Sequence, residues 1–237
     1  MKRLDKVLSD AGVAGRKEIK EMIRAGRVSV NDAVIKKADY KVDELNDKIF
    51  VDGESVDTEQ FVYYMLHKPD GVVTATEDRE QTTVLDLFPV ELQRRGLFPV
   101  GRLDKDTTGL LILTNDGEYA HQVIAPRSHV DKRYMAKTDG ITDDTDVKAF
   151  ADGIVLRDGT QCLPAKLEVT GTNICYVTLF EGKYHQVKRM LASRGKPVLQ
   201  LHRCSIGRLS LDEQLKAGEF RRMTAEEVEM SLVKMPL

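Results

Sequence analysis

A chain of 237 residues, at roughly 100 to 200 residues per domain, has the length for one or two domains with real cores, which excludes a disulfide-stapled miniprotein. Hydrophobic residues make up 41% and charged ones 31%, with 36 Lys+Arg against 38 Asp+Glu, a globular composition rather than a membrane-spanning or disordered one. The formal net charge of -2 excludes a wholesale polycation, so any binding of nucleic acid must rest on where positive charge clusters. Cys162, Cys175 and Cys204 stand far apart with no CxxC pair, which predicts neither a zinc site nor a disulfide framework and suits a reducing cytoplasm. The opening MKRLDKVLSD meets charge every few residues, so neither a signal peptide nor a membrane span is expected.

In chain order, Leu4, Val7, Leu8 and Ala11 recur at helical spacing up to Gly12, and Ile19, Met22 and Ile23 mark a second helix ending before Gly26. Val28 and Val30 then alternate with polar residues before an Asn31-Asp32 turn, and Ile49 to Gly53 gives a second hairpin signal. Residues 1–41 carry 11 Lys or Arg and 6 acids, whereas 42–60 carry one Lys and 7 acids. Within the second helix and just beyond it, Arg16, Lys17, Lys20, Arg24 and Arg27 form a stripe able to track a phosphate backbone, unless it is simply a solvated helix face. A helix-helix-strand domain over 1–57 is expected, then a short acidic joint, then a second domain over 61–237.

In that second domain, apolar runs at 61–66, 110–113, 174–180 and 198–201 read as strands, with a helical pattern at HQVKRMLASRG. Strands and helices do not alternate strictly, which predicts an α+β fold with a mainly antiparallel mixed sheet and flanking helices. Three stretches could carry chemistry. GRLDKDTTGLLILTNDG sets Asp104 between Arg102 and Lys105 in a polar turn before a buried strand, where neighbouring cations would keep it ionised. KRYMA offers Tyr134 either as a core residue or as a ring to stack on a base, with Lys132 and Arg133 beside it for phosphates. From Lys183 to Arg208 there are seven Lys or Arg and no acid, and Lys188 falls at the edge of a helix face, either snorkelling or facing an anion.

RLDKVLSDAGVAGRKEIKEMIRAGRVSVNDAVI resembles the RNA-binding fold shared with ribosomal small-subunit protein S-four, with Gly15 where that family often has a capping Ser. HKPDGVVTAT, FPVGRLDKDTTGLLILTNDG, KRYMA and EGKYHQVKRML follow in the order and approximate spacing of the RsuA family of pseudouridine synthases, and the resemblance spans essentially residues 1–230. It implies an isomerase that turns a uridine of ribosomal RNA into pseudouridine in a flipped-out nucleotide. By this resemblance Asp104, Tyr134 and Lys188 are the catalytic residues: Asp104 attacks or stabilises the sugar, Lys188 holds it, and Tyr134 stacks on uracil. Arg102 would be a wedge or phosphate ligand, and Arg133, His185, Gln186 and Arg189 further RNA contacts. "YHQVKRM" is similar to the small-subunit branch, which implies small-subunit RNA or an assembling subunit as partner. The isomerisation adds and removes no atoms overall, so neither cofactor nor metal is expected, and a cytoplasmic monomer is. A large-subunit synthase, a non-catalytic assembly factor, and a hydrolytic glycosidase or nuclease remain the alternatives.

Overall fold

The computed structural model describes residues 1–128 and 130–234. Contacts divide the chain into two units, one formed by Met1–Val62 with Leu85–Phe98, the other by Tyr63–Val84 with the chain from Pro99 onward. By contacts Leu85–Phe98, inside the expected 61–237 domain, groups with Met1–Val62. Within that unit the nearly buried Arg95 guanidinium pairs with Asp57 at 3.0 Å and donates to the Glu59 carbonyl.

In the first unit, helices α1 (Leu4–Asp10) and α2 (Arg16–Arg24) pack against strands β1 (Val28–Val30) and β2 (Ile49–Val51). Leu4, Leu8, Ile19, Ile23, Val28 and Ile49 close the core, with the apolar positions falling at i, i+3 and i+4 along each helix. Both expected turns form. Asn31 and Asp32 take positive φ, as do Asp52 and Gly53, the left-handed pair that a two-residue hairpin requires. Gly15 caps α2 without a side-chain bond, leaving the first-turn N–H groups of a basic helix unsatisfied by its own cap.

The second unit is built on a mixed sheet. Its strands are β3 (Tyr63–Lys68), β4 (Thr107–Thr114), β5 (Lys132–Thr138), β6 (Lys166–Gly171), β7 (Ile174–Leu179), β8 (Val198–Ile206) and β9 (Phe220–Arg222). Among the described residues their order is β6-β7-β5-β8-β4-β3-β9, antiparallel except where β8 runs parallel to β4. The sheet is thus mainly antiparallel, as the apolar pattern predicts. After α3 (Val90–Arg94) and α4 (Gly117–Ile124), helices α5 (Asp144–Asp152) and α6 (Gln186–Ser193) cover one face of the sheet through Phe150, Val187, Met190 and Leu191, which meet Ala136, Val177, Leu179 and Leu201. Asp143 and Asp146 form a capping box for α5, and the buried Asp146 carboxylate also takes Arg194 at 2.9 Å and Lys196 at 3.3 Å, tying α5 to the end of α6. Among the described residues no helix is long and apolar enough to cross a membrane.

The parallel pairing of β8 with β4 comes with a close approach. Gly109 sits opposite Arg203 with φ +106, and a Cβ there would lie 2.3 Å from the Arg203 carbonyl oxygen and 2.6 Å from its nitrogen. Gly218, by contrast, has φ +90 and open space. Gly109→Ala should therefore cost about 2–4 kcal/mol, against about 1–2 kcal/mol for Gly218→Ala, where only the left-handed backbone is strained. Urea melts of the two variants check the difference.

Candidate active site

The cleft on the α6 side of the sheet is lined by Arg102, Leu103 and Asp104 from one loop, Thr107 at the start of β4, Tyr134 from β5, Leu179 at the end of β7, Glu181 to Lys183 beyond it, His185 to Val187 at the start of α6, and Leu201 from β8. Asp104 and Lys188, 84 positions apart, meet here: Lys188 Nζ lies 3.0 Å from Asp104 Oδ2. The same ammonium reaches Asp106 Oδ1 at 2.5 Å, and His185 Nε2 stands 3.3 Å from Asp104 Oδ1. Burial works against the charge on Lys188, but its hydrogen bonds to Asp106 and Asp104 outweigh that and hold its pKa above the ordinary lysine value. In turn the bond from Lys188 holds Asp106 below the usual carboxylate range. A carboxylate is thus fixed by a cation within reach of an aromatic side chain, Tyr134, in a half-open cleft.

The loop carrying Asp104 is pinned from beneath by a residue that spacing alone did not single out. Lys68 closes β3 with no exposed surface, and its ammonium donates to the carbonyls of Pro69 (2.9 Å), Lys105 (3.0 Å) and Thr107 (3.0 Å). Gly71 N–H also donates to Lys105 O at 3.0 Å. The buried Thr74 hydroxyl donates to Leu103 O at 2.7 Å and accepts from Leu103 N–H at 3.2 Å. Together these bonds satisfy the main chain on both sides of Asp104, which explains physically why HKPDGVVTAT accompanies the aspartate stretch. The signal was present: Tyr64, Leu66 and Lys68 alternate along β3, so a lysine occupies a position where strand parity calls for an apolar side chain.

Several expected site residues are placed differently. Arg133 alternates with Tyr134 along β5, so its side chain lies on the opposite face of the sheet, over the Tyr176 ring at 4.4 Å and 3.2 Å from Glu168. It does not reach the cleft. Gln186 lines the cleft but is buried and occupied, accepting from Lys183 N–H at 2.9 Å and donating to Glu181 Oε1 at 2.6 Å, which makes it a brace for the turn into α6. Arg189 faces away from Asp104 and pairs with Asp158 at 2.5 Å. Lys132 donates to the carbonyls of Val123 and Val130, and burial pushes its pKa down to about 8, so it is not a free phosphate ligand. Arg102 lines the cleft and is exposed. In the first unit Arg16, Lys17, Lys20 and Arg24 are exposed on α2, and among the described residues none makes an ion pair; Arg27 is spent on Asp52 at 2.5 Å.

Comparison with known proteins places these residues in a recognised setting. Residues 62–193 match the model for RNA pseudouridylate synthase, and residues 2–49 match the S4 domain. The chain is 42% identical to an uncharacterized RNA pseudouridine synthase, YtzG, of Bacillus subtilis, over 96% of this chain and 97% of that one. It is likewise 42% identical to ribosomal small subunit pseudouridine synthase A of Vibrio cholerae, over 95% and 97%, and 38% identical to ribosomal large subunit pseudouridine synthase B of B. subtilis, over 96% and 94%. A crystal structure of a pseudouridylate synthase superposes with TM-score 0.70 at 36% identity, covering 98% of this chain and all of that one.

Burial pushes the Lys68 pKa down to about 8, against the pull of Asp70, Asp106 and Asp104. Because the folded pKa lies below the unfolded one, the unfolded chain binds more protons between about pH 8 and 10.5, and this group's contribution to stability rises as pH climbs through about 8. The stability of the intact protein minus that of Lys68→Met should therefore increase between pH 7 and pH 9. A difference that stays flat in denaturant melts would mean that Lys68 titrates as it does in water.

Proposed function

The chain belongs to the RNA pseudouridylate synthase family, and from that premise we propose that it isomerises a specific uridine of small-subunit ribosomal RNA, with Asp104 as the catalytic carboxylate. The observation that carries the assignment is the Asp104 carboxylate set between Lys188 and His185 in the cleft that Tyr134 walls.

The chemistry follows from those groups. The bond from C1′ to N1 breaks, the detached uracil turns, C5 bonds to C1′, the C5 proton leaves and N1 ends protonated, so atoms and electrons balance. As the glycosidic bond opens, the sugar develops positive charge, which an ionised Asp104 either captures covalently or stabilises, as one carboxylate does in retaining glycosidases. Lys188 fixes the carboxylate's position, so that no reorganisation is required when charge develops. Tyr134 stacks on the uracil while it turns and assists loss of the C5 proton. N1 and C1′ are inaccessible in stacked RNA, so the uridine enters the cleft flipped out. The basic α2 face of the N-terminal unit supplies backbone contacts, in keeping with its match to the S4 domain. The relatives named for the small subunit, together with YHQVKRM, favour small-subunit RNA and hence a cytoplasmic site of action.

Tritium release from C5-labelled uridine tests the proposal, using small-subunit RNA bare and partly assembled, with large-subunit RNA alongside. Intact protein should release tritium from the small-subunit substrate without strand scission or free uracil. Asp104→Asn should fall by about 10⁴-fold or more, the scale seen when a catalytic group is removed. Asp106→Asn, which alters the more exposed partner of Lys188, should keep most of the activity. Release from large-subunit RNA alone would reassign the substrate, and equal loss in both variants would remove Asp104's special role.

A further inference from the structure

The catalytic unit carries a second cavity, of about 270 Å³, lined by Leu156, Arg157, Asp158, Arg189, Ala192 and Ser193. This volume sits just below the usual range for small-ligand sites, which begins at about 300 Å³. One wall is the tight loop closed by the bridge between Val155 and Gln161; the other is the outer surface of α6. The loop is fastened to the segment before α6, with Lys183 Nζ donating to the Gln161 carbonyl at 2.8 Å and Leu163 N–H to Glu181 at 2.9 Å. The cavity therefore has two braced walls.

Its lining is divided by chemistry. Leu156 is buried and shows only an edge beside the exposed Ala192 methyl, Arg157, Asp158 and Arg189 are charged, and Ser193 gives its hydroxyl to the Met190 carbonyl. Arg157 is exposed and, among the described residues, makes no hydrogen bond or ion pair. Arg189 is engaged twice, with Asp158 Oδ2 at 2.5 Å and with the Tyr184 carbonyl at 3.3 Å. Two guanidinium groups and one carboxylate line the cavity, so its lining carries a net positive charge. An exposed methyl beside an unspent guanidinium suits a nucleotide, whose base covers the methyl while its phosphate takes the cation.

The cavity is also connected to the catalytic cleft. Tyr184, whose carbonyl Arg189 holds, stacks on His185 at 3.8 Å and 19°, and His185 contacts Asp104. His185 is held in the left-handed region at φ 48, so the turn into α6 is conformationally restricted and Arg189 braces it from outside. A phosphate arriving at Arg189 would compete with Asp158 for it.

We propose that this cavity is a subsite for a nucleotide flanking the target uridine, with its phosphate on Arg157 and Arg189 and its base against the exposed Ala192 methyl. The proposal rests on RNA being the substrate. Arg189 acts here as a positioning residue and Arg157 as a binding residue, neither touching the reacting atoms.

The test uses the full-length protein and a small-subunit ribosomal RNA transcript. Affinity is measured across a salt series, and kcat and KM by tritium release, for the intact protein, Arg157→Ala and Asp158→Asn. Losing one phosphate contact should weaken binding by about tenfold and lower the slope of log K against log salt by about one. KM should rise in Arg157→Ala with kcat nearly unchanged. Asp158→Asn, which frees Arg189 from its competitor, should bind several-fold tighter, a gain that a merely structural role would not produce. Unchanged affinity and salt slope in Arg157→Ala, or no tightening in Asp158→Asn, would overturn the subsite. If the salt series behaves as expected while the intact protein releases no tritium, the subsite stands and the isomerase assignment fails.

Discussion

A single buried ammonium organises the centre of the second unit. Lys68 has no exposed surface and spends its donors on carbonyls of Pro69, Lys105 and Thr107, so the loop bearing Asp104 has its main chain satisfied from below. Burying a charge in this way is costly unless its hydrogen bonds are complete, and breaking such an arrangement costs more than the arrangement itself contributes. The constraint is therefore local and stiff. Gly71 and Thr74 add bonds to Lys105 and Leu103, and Gly109 lets β8 run close beside β4 immediately downstream.

Above that loop, electrostatics divides the work between two aspartates. Lys188 spans both, reaching Asp106 at the exposed rim and Asp104 inside the cleft. The outer pair is screened by solvent and contributes little to stability, and the contact that orients Asp104 is the inner one. His185 approaches the other oxygen of Asp104, and Gln186 and Glu181 fix the turn that delivers it. Every group that orients Asp104 is in turn oriented by another, the usual requirement for a preorganised site.

Much of this was legible in the sequence, and the failures have physical causes. The two hairpin turns of the first unit and the end of α2 follow from turn chemistry and helical period, whereas the meeting of Asp104 with Lys188 was implied by the family resemblance alone. Arg133 neighbours Tyr134 in sequence but not in the cleft, because consecutive strand residues face opposite ways. Gln186 looked available because its partner Glu181 acts across a turn, and Lys132 because nothing local reveals that its ammonium folds onto carbonyls. Strand β6 does alternate, Leu167 and Val169 against Lys166, Glu168 and Thr170, but with two apolar residues in six it gives too short a signal to stand out. The pairing of Arg95 with Asp57, 38 positions earlier, is likewise one that no local pattern encodes.

The central claim is that Lys68 acts on chemistry by holding the Asp104 loop, and single-turnover kinetics with Lys68→Met at saturating RNA tests it most directly. The account predicts a rate lowered about a hundredfold, the scale of a displacement near 1 Å, with the dissociation constant for RNA within about twofold of the intact protein's. A folded Lys68→Met protein that turns over at the intact protein's rate would contradict it, as would one whose loss lay wholly in RNA binding.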